Sequence, residues 1–168
     1  MEIKGGKYLT FVLAKEDYGI PILKVREIIK LLEITSIPKT PGYIKGVINL
    51  RGKIIPIMDL RLKFGLEEKE YNERTCIVVV EVTLNETHKL MGLIVDTVSE
   101  VVNLATDQIE LPPEYGYQNN QGFLIGVGKV KDRVILLLDI EQILSREESV
   151  LLKEMKTDNE TGVRNLEN

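Results

Sequence analysis

Cysteine, histidine and tryptophan are almost absent from this chain, and each absence narrows what the protein can do. The 168 residues include one Cys, one His and no Trp. The single Cys76 excludes a disulfide within the chain and fits a reducing compartment. The single His88 lies among turn residues, without a second His or a Cys at metal-ligand spacing, so no metal site is predicted. The sequence therefore offers little material for a metalloenzyme or for His-dependent catalysis.

Long hydrophobic runs and a basic stripe with interleaved aromatic residues are missing as well. Even the apolar run VILLL, at 134–138, is far shorter than the roughly 20 residues of a membrane-spanning helix. The first residues, MEIKGGKYLTF, have no apolar stretch before a cleavage site and do not resemble a signal peptide. Aromatic residues make up 5% of the chain, and no basic stripe with interleaved aromatics, typical of nucleic-acid binding, occurs. We expect a cytoplasmic protein with no membrane insertion and no nucleic-acid partner.

The motifs of common catalytic sites are also lacking. The sequence contains no G-x-S-x-G, P-loop or G-x-G-x-x-G motif, and GVG at 126–128 is too short to cradle a phosphate. Cys76 opens an apolar strand, where we expect a small core residue rather than a nucleophile. Glu27, Arg51 and Asp59 could form an acid–base and anion site, but no nucleophile, metal or His supports that interpretation. We therefore do not predict an enzyme.

What the chain does have is a series of short strands. Six segments are rich in Ile and Val and are bounded by Gly, Pro, Asn or charged residues, as strands are. They are residues 8–14, 46–50, 53–58, 75–82, 89–95 and 133–138. Short helices are predicted at 59–64 and 139–144, each beginning with an Asp suited to an N-cap, and a capping box from Ser145 to Glu148 predicts another. This pattern is typical of an all-β barrel or sandwich.

Two stretches of the sequence are weakly repeated. Residues 44–64 align with 124–144 at an offset of 80, and residues 18–29 align with 91–102 at an offset of 73. The matching pairs include Gly46/Gly126, Asp59/Asp139, Gly19/Gly92, Val25/Val98 and Glu27/Glu100. Two copies of one strand unit, each too short to bury much surface alone, predict two similar small barrels packed face to face. Because both copies keep the Asp, we expect helix N-caps there rather than a catalytic pair.

Charge is distributed unevenly, and one basic residue departs from the repeat. Residues 1–66 contain 12 Lys or Arg against 6 Asp or Glu, whereas residues 67–168 contain 10 against 20. This polarity favours an electrostatically steered protein partner, and two solvated faces would also produce it. Arg51 is followed by Gly52 in NLRGK, whereas its counterpart Lys131 lies in an ordinary charged turn. A hairpin tip would expose the guanidinium to bind a carboxylate; a solvated turn arginine is the alternative.

The repeated segments and the stretch GYIKGVINLRGKIIPIMDLRLKFG resemble the CheW family of bacterial chemotaxis coupling proteins. The resemblance covers nearly the whole folded chain and is most specific where NLRG is followed by P-I-x-D-L-R. It implies a mainly β fold of two similar five-stranded SH3-like β-barrels packed together, with short helices and a C-terminal helix. It also implies an adaptor without catalytic activity or cofactor, which joins methyl-accepting chemoreceptors to the regulatory domain of the histidine kinase CheA.

The resemblance suggests a division of the chain. Residues 1–156 would form a single CheW-like domain, and residues 157–168 a flexible tail. Within the domain we expect the first barrel at roughly 15–74, the second at roughly 75–138 and C-terminal helices at 139–156. The N-terminal strand, residues 7–14, is compatible with either barrel.

The resemblance also assigns a receptor-binding set of residues. Arg51 and Glu27 match receptor-coupling positions, and their opposite charges suggest that they pair with each other. Three valines would supply apolar surface near the barrel junction, where an amphipathic receptor hairpin could lie, with core packing as the alternative. The full set is Arg51, Glu27, Asn49, Val25, Val98 and Val101.

A kinase-binding set and an alternative function complete the predictions. Gly126, Gly92 and Gly46 match family positions where a bulkier side chain would obstruct kinase docking or distort a strand. The alternative is a small barrel that binds nucleic acid or an anionic ligand through the basic first half of the chain. Its binding residues would be Lys45, Arg51, Lys53, Arg61 and Lys63.

Overall fold

The computed structural model describes residues 5–112 and 123–143, which are built almost entirely of strands. In chain order the elements are β1 Gly6–Leu13, β2 Glu16–Pro21, β3 Val25–Lys30, β4 Ile44–Leu50, β5 Lys53–Asp59, α1 Leu60–Lys63, β6 Cys76–Leu84, β7 Thr87–Val95, β8 Thr97–Leu104, β9 Ile109–Glu110, β10 Leu124–Val130, β11 Arg133–Leu138 and α2 Ile140–Ile143. Two 3-10 turns, Ile22–Lys24 and Thr106–Gln108, follow β2 and β8. The predicted capping box, the helices expected from residue 144 to 156 and the tail at 157–168 lie outside the described residues.

The strands form two sheets, and each sheet closes into a barrel. The first has the order β3-β6-β7-β5-β4, and the second has the order β8-β1-β2-β11-β10-β9. In the first sheet a bridge between Thr35, which follows β3, and Val47 in β4 closes the ring. In the second sheet β8 continues through Thr106–Gln108 into β9, which pairs with β10. The predicted mainly β fold of two small barrels is confirmed, with β8 and β9 acting as one interrupted strand.

The two barrels have the same pattern of strand pairing, which explains the repeat in the sequence. In the first barrel β7 is antiparallel to β6 and parallel to β5; in the second, β2 is antiparallel to β1 and parallel to β11. Gly92 faces Ile57 in the first barrel, and Gly19 faces Leu137 in the second. The sequence offsets of 73 and 80 are therefore offsets between structurally equivalent strands.

The chain is divided between the barrels differently from the prediction. β6 and β7 complete the first barrel, which therefore runs from Val25 to Val95 and does not end at residue 74. The hairpin β1–β2 completes the second barrel together with β8 to β11, so the strand predicted at 7–14 belongs to that barrel. The physical reason is that β3 and β5 need β6 and β7 as backbone partners. A barrel that ended at residue 74 would leave two unpaired strand edges.

Three apolar clusters stabilise this arrangement. One fills each barrel, and the third, which we call the interbarrel core, combines buried residues of β1, β2, β11 and α2 with those of β4 to β7. Strand β6 is buried on both faces, because Ile77 and Val79 point into the first barrel while Val78, Val80 and Val82 point into the interbarrel core. The apolar run in β6 therefore lacks the alternation of a strand with one solvated face.

The two short helices begin as predicted. Asp59 Oδ1 accepts a hydrogen bond from Leu62 N at 3.3 Å, and Asp139 Oδ1 accepts one from Glu141 N at 3.1 Å. Both carboxylates thus satisfy backbone donors that a helix start leaves unpaired. The sequence pattern does not predict five of the strands, β2, β3, β8, β9 and β10. Of these, β3 alternates half-buried and exposed residues along its whole length.

Candidate functional site

The tip of the β4–β5 hairpin is a two-residue turn made of Arg51 and Gly52. Both residues have positive φ, +51° for Arg51 and +89° for Gly52, which is the geometry that joins twisted antiparallel strands most tightly. Asn49 Oδ1 accepts a hydrogen bond from Gly52 N at 2.8 Å and so holds the turn from inside. The predicted hairpin tip is confirmed, and the predicted site residue Asn49 has a structural role in it.

Arg51 forms an ion pair with Glu27, which β3 brings to this tip. Arg51 Nη2 donates to both carboxylate oxygens of Glu27, at 2.8 and 2.7 Å. The Arg51 side chain is 70% exposed and that of Glu27 is 33% exposed. In the described part of the chain, Nη2 is the guanidinium nitrogen that has a partner, so Nη1 and Nε can donate to a second carboxylate. An exposed pair of this kind contributes about 0–1 kcal/mol to stability, so its main effect is to orient the guanidinium.

The three predicted valines have unequal surroundings. Val25, the first residue of β3, and Val98, the second residue of the equivalent strand β8, are half-buried and pack against the interbarrel core. Val101, further along β8, is 51% exposed. Val101 therefore presents about half of its surface to solvent, whereas Val25 and Val98 combine core packing with a partly exposed face.

The three predicted glycines are buried within strands. A Cβ on Gly92 would lie 2.5 Å from Ile57 Cδ1 and 2.8 Å from Ile77 Cγ2. A Cβ on Gly46 would overlap the carbonyl group of Thr35, at the bridge that closes the first barrel. Gly126 is buried opposite Leu137 at a bulge in β10. Strand geometry accounts for Gly46 and Gly92, and none of the three presents surface for direct contact with a partner.

The basic residues of the alternative function do not form an open cationic stripe. Arg61 pairs with Asp96 at 2.7 Å, and Lys45 lies 3.5 Å from Glu68. Lys63 Nζ lies 4.7 Å from the centre of the Tyr43 ring. Within the described ranges, Arg51 keeps two guanidinium nitrogens free and Lys53 is exposed, whereas Arg61, Lys45 and Lys63 contact groups within the protein. A nucleic acid would have to compete with these partners for them.

The reactive side chains are placed as the sequence indicated. Cys76 is half-buried and packs against the interbarrel core, and burial raises the pKa of its thiol. His88 is exposed, with Nδ1 3.3 Å from Thr83 Oγ1. Among the described residues there is no group of three or more His, Cys, Asp or Glu side chains that could hold a metal ion. Over residues 5–112 and 123–143, no helix has the length and apolar character needed to cross a membrane.

Comparison with known proteins identifies the family. A family model described as the CheW-like domain matches residues 7–148. The chain belongs to the CheW family. It is 43% identical to the chemotaxis protein CheW of Klebsiella aerogenes over 151 residues, which cover 90% of this chain and 89% of that protein. It is 36% identical to CheW of Helicobacter pylori over 141 residues, covering 84% and 82%.

A solved CheW structure has the same fold. The crystal structure of the scaffolding protein TtCheW from Thermoanaerobacter tengcongensis matches with a TM-score of 0.75 and 35% sequence identity, covering 86% of this chain and 95% of that one. The resemblance to CheW drawn from the sequence is thereby confirmed, and with it a role as a chemotaxis adaptor. The alternative of a nucleic-acid or anion-binding barrel is not supported by any of these relatives.

Two ion pairs at the junction of the barrels in this CheW-family chain are not predicted by the sequence pattern. They join Arg61 to Asp96 and Lys24 to Glu141. The alignment at an offset of 80 places Arg61 opposite Glu141, which is a reversal of charge at otherwise equivalent helix positions. That reversal of charge is the feature of the sequence that indicates these pairs. It does not identify the partners, because Asp96 and Lys24 lie far from Arg61 and Glu141 along the chain.

Proposed function

We propose that this chain is a non-catalytic cytoplasmic adaptor that couples the tips of methyl-accepting chemoreceptors to the regulatory domain of the histidine kinase CheA. Membership of the CheW family supports the adaptor role. The observation that carries the receptor contact is the Arg51–Glu27 pair, held at an exposed hairpin tip with two guanidinium nitrogens left for a partner. The proposal needs no cofactor and no metal.

The receptor surface combines this charged tip with apolar side chains. A receptor tip built of amphipathic helices presents both acidic and apolar groups, which fit a planar guanidinium and exposed valines. Val101 offers the most apolar surface, and Val25 and Val98 add their exposed faces. Asn49 contributes by holding the turn that carries Arg51. Glu27 keeps the guanidinium oriented before the receptor arrives.

The kinase surface is proposed to lie on the barrel walls around the three glycines. The regulatory domain of CheA resembles the CheW family, so one barrel can dock against another. Because Gly46, Gly92 and Gly126 are buried, they would act through the shape of the strands rather than by contact. With both partners bound, the adaptor holds kinase and receptor together, so that the ligand state of the receptor biases the conformation of the kinase.

Substitution of Arg51 tests the receptor contact. We expect Arg51→Ala to weaken binding of a receptor cytoplasmic fragment about tenfold, the loss of roughly one charge-assisted contact, and to leave binding of the kinase regulatory domain unchanged. Arg51→Lys should recover part of the loss, because an ammonium cannot hold two carboxylates in the planar geometry of a guanidinium. Isothermal titration calorimetry with each partner measures both affinities.

Lys131 provides a matched control. It occupies the equivalent turn of the second barrel, with φ of +54°, and its side chain is exposed. Lys131→Ala removes a cation from the same backbone geometry and should not change receptor affinity. Equal receptor affinity for wild type and Arg51→Ala would show that Arg51 is only a solvated turn residue.

A further inference from the structure

The chain passes between the two barrels twice, and an ion pair lies at each crossing. The first crossing is the 3-10 turn Ile22–Lys24, between β2 and β3, and the second is Asp96, between β7 and β8. Lys24 Nζ lies 2.7 Å from Glu141 Oε1 in α2, and Arg61 Nη1 in α1 lies 2.7 Å from Asp96 Oδ2. Each crossing is therefore bound to the short helix of one barrel.

The same carboxylate oxygens also accept backbone hydrogen bonds. Asp96 Oδ2 accepts from Ala14 N at 3.0 Å, and Glu141 Oε1 accepts from Thr83 N at 3.4 Å. Ala14 follows β1 and Thr83 lies near the end of β6, and these two strands occupy equivalent places in their barrels. Each oxygen thus receives one cation and one amide, in arrangements related by the internal repeat.

We call these sites the Asp96 clamp, made of Asp96, Arg61 and Ala14, and the Glu141 clamp, made of Glu141, Lys24 and Thr83. The Asp96 clamp ties α1 of the first barrel to the end of β1 in the second barrel. The Glu141 clamp ties α2 of the second barrel to β6 of the first. The acid lies on the crossing in one clamp and on the helix in the other, so the polarity is reversed. Both clamps nevertheless join the two barrels.

The clamps also hold the backbone that leads into two residues of the proposed receptor surface. Lys24 directly precedes Val25, and Asp96 precedes Val98 by two residues. A change in either clamp would move the start of β3 or of β8 relative to the other barrel. We propose that the two clamps set the relative orientation of the barrels and thereby the spacing of Val25 and Val98 on which receptor affinity depends. The part that concerns affinity rests on the proposed function.

The two clamps differ in exposure to solvent. In the Asp96 clamp the paired side chains are 13% and 15% exposed, whereas in the Glu141 clamp they are 38% and 25% exposed. Salt screens exposed pairs far more than partly buried ones, and the Debye length is about 10 Å at 0.1 M salt. As ionic strength rises, the ion pair of the Glu141 clamp therefore weakens first, while the ion pair of the Asp96 clamp stays formed.

The orientation of the barrels can be measured with spin labels at Lys30 and Asn103. These positions are equivalent in the two barrels, and both are exposed. With Cys76→Ala as background, Lys30→Cys and Asn103→Cys carry the labels, and electron–electron double resonance gives the distance distribution. The same proteins are titrated with a receptor cytoplasmic fragment. The variants are Asp96→Asn, Lys24→Glu and the charge exchange Lys24→Glu with Glu141→Lys.

We expect Asp96→Asn and Lys24→Glu to shift or broaden the distance distribution and to lower receptor affinity about fivefold or more, a typical size for coupling between sites. The charge exchange should return both readings toward wild type. Lys129→Gln is the control, since it removes an ion pair with Glu110 that lies within the second barrel. If Asp96→Asn does not fold, the exposed Lys24 variants provide the same comparison.

The outcomes separate the clamp from the proposed function. An unchanged distance distribution in both single variants overturns the proposal, and so does a loss of affinity without any change in distance. A shifted distribution that the charge exchange restores supports the clamps as determinants of orientation, whatever the receptor fragment does. If the wild type itself does not bind the fragment, the proposed function fails, and the distance data still decide the clamps.

Discussion

At the scale of single residues, Arg51 combines an unfavourable backbone conformation with an exposed position. A residue with a Cβ in the left-handed region is disfavoured by roughly 1–2 kcal/mol relative to ordinary conformations, whereas Gly is not. The equivalent turn contains Lys131, also at positive φ, so the hairpins themselves impose this conformation. The side chain at position 51 is therefore not selected for stability, and its contact with Glu27 is too exposed to compensate fully.

Arg51→Gly separates stability from function. We expect the free energy of unfolding to stay equal or to rise by up to about 1 kcal/mol, because relief of the left-handed strain outweighs the loss of an exposed ion pair. Receptor affinity should fall as it does in Arg51→Ala. Urea denaturation followed by circular dichroism measures the first quantity and calorimetry the second. A destabilisation above about 2 kcal/mol would mean that the Arg51 side chain is part of the scaffold.

At the scale of elements, two buried glycines face different obstacles. The space a Cβ would take at Gly92 is occupied by two side-chain methyl groups, the terminal Cδ1 of Ile57 and the Cγ2 of Ile77. At Gly46 it is occupied by backbone atoms of Thr35, and φ there is +137°, a conformation that side chains avoid. Side chains can repack, but the backbone bridge that closes a barrel cannot move without opening it.

We therefore expect Gly46→Ala to destabilise the protein more than Gly92→Ala does. Overpacking at Gly92 should cost about 1–3 kcal/mol, and Gly46→Ala should exceed that range or prevent folding. Gly42→Ala is the control, since a Cβ there meets no atom within 4 Å and φ is not in the left-handed region. Urea denaturation ranks the three variants. Equal stability of Gly46→Ala and Gly42→Ala would contradict the closure of the barrel at Thr35.

Asp139, the residue that caps the start of helix α2, and Glu141 within that helix have pKa values that shift in opposite directions. Burial, and then the charge of Glu141, raise the pKa of Asp139 above its ordinary value of 3.8. Burial also acts to raise the pKa of Glu141, but the hydrogen bond from Lys24 and further favourable contacts outweigh it and lower the pKa below 4.5. The two residues therefore influence stability in opposite ways as pH changes.

The sign of each effect follows from linkage between protonation and folding. Asp139 has a raised pKa, so its contribution to the free energy of unfolding is fully present below about pH 3.8. That contribution is lost as pH rises through the pKa of the folded state. Glu141 has a lowered pKa, so its contribution is present above about pH 4.5 and is lost as pH falls. We expect Glu141→Gln to lower the free energy of unfolding at pH 7 but not at pH 3. Asp139→Asn keeps a capping oxygen, and we expect its effect on the free energy of unfolding to be more favourable at pH 7 than at pH 3. Urea denaturation at both pH values would contradict this if the two variants changed in parallel.

At the scale of the whole molecule, the interbarrel core and the N-terminal hairpin β1–β2 make the two barrels one structural unit. The N-terminal hairpin completes the second barrel, so the second barrel is made of two separate chain segments and the first barrel lies between them in the sequence. The interbarrel core takes residues from both sheets, including the fully buried Leu13 of β1. Loss of packing there should affect both barrels together.

Leu13→Ala tests this cooperativity. We expect it to lower the free energy of unfolding by about 2–5 kcal/mol, because it leaves a cavity in the interbarrel core. Unfolding should remain a single transition, with hydrogen exchange accelerating equally in the innermost strands of both barrels. Selective acceleration in the second barrel, with the first barrel unaffected, would show that the barrels unfold independently.

Much of the local structure could be predicted from the sequence because its causes are local. Strand β11 was predicted with its observed limits, both helix N-caps are set by an Asp three residues or fewer from the amide it binds, and the Arg51–Gly52 turn is encoded by neighbouring residues. Strands such as β10 were missed because Gly126 and Gly128 weaken the strand signal, although both positions are buried.

The sequence by itself determined that this protein is a duplicated set of short strands with a basic residue at one hairpin tip, and the repeat and the NLRG stretch were sufficient to find its family. Only the tertiary structure decided which hairpin completes which barrel, which face of β6 meets which core, and that Arg51 Nη2 reaches Glu27. The physical reason is the range of the interactions. Hydrophobic period, capping and turn preference act over a few residues, whereas strand partners and ion pairs such as Lys24–Glu141 depend on segments that become neighbours only when the chain folds.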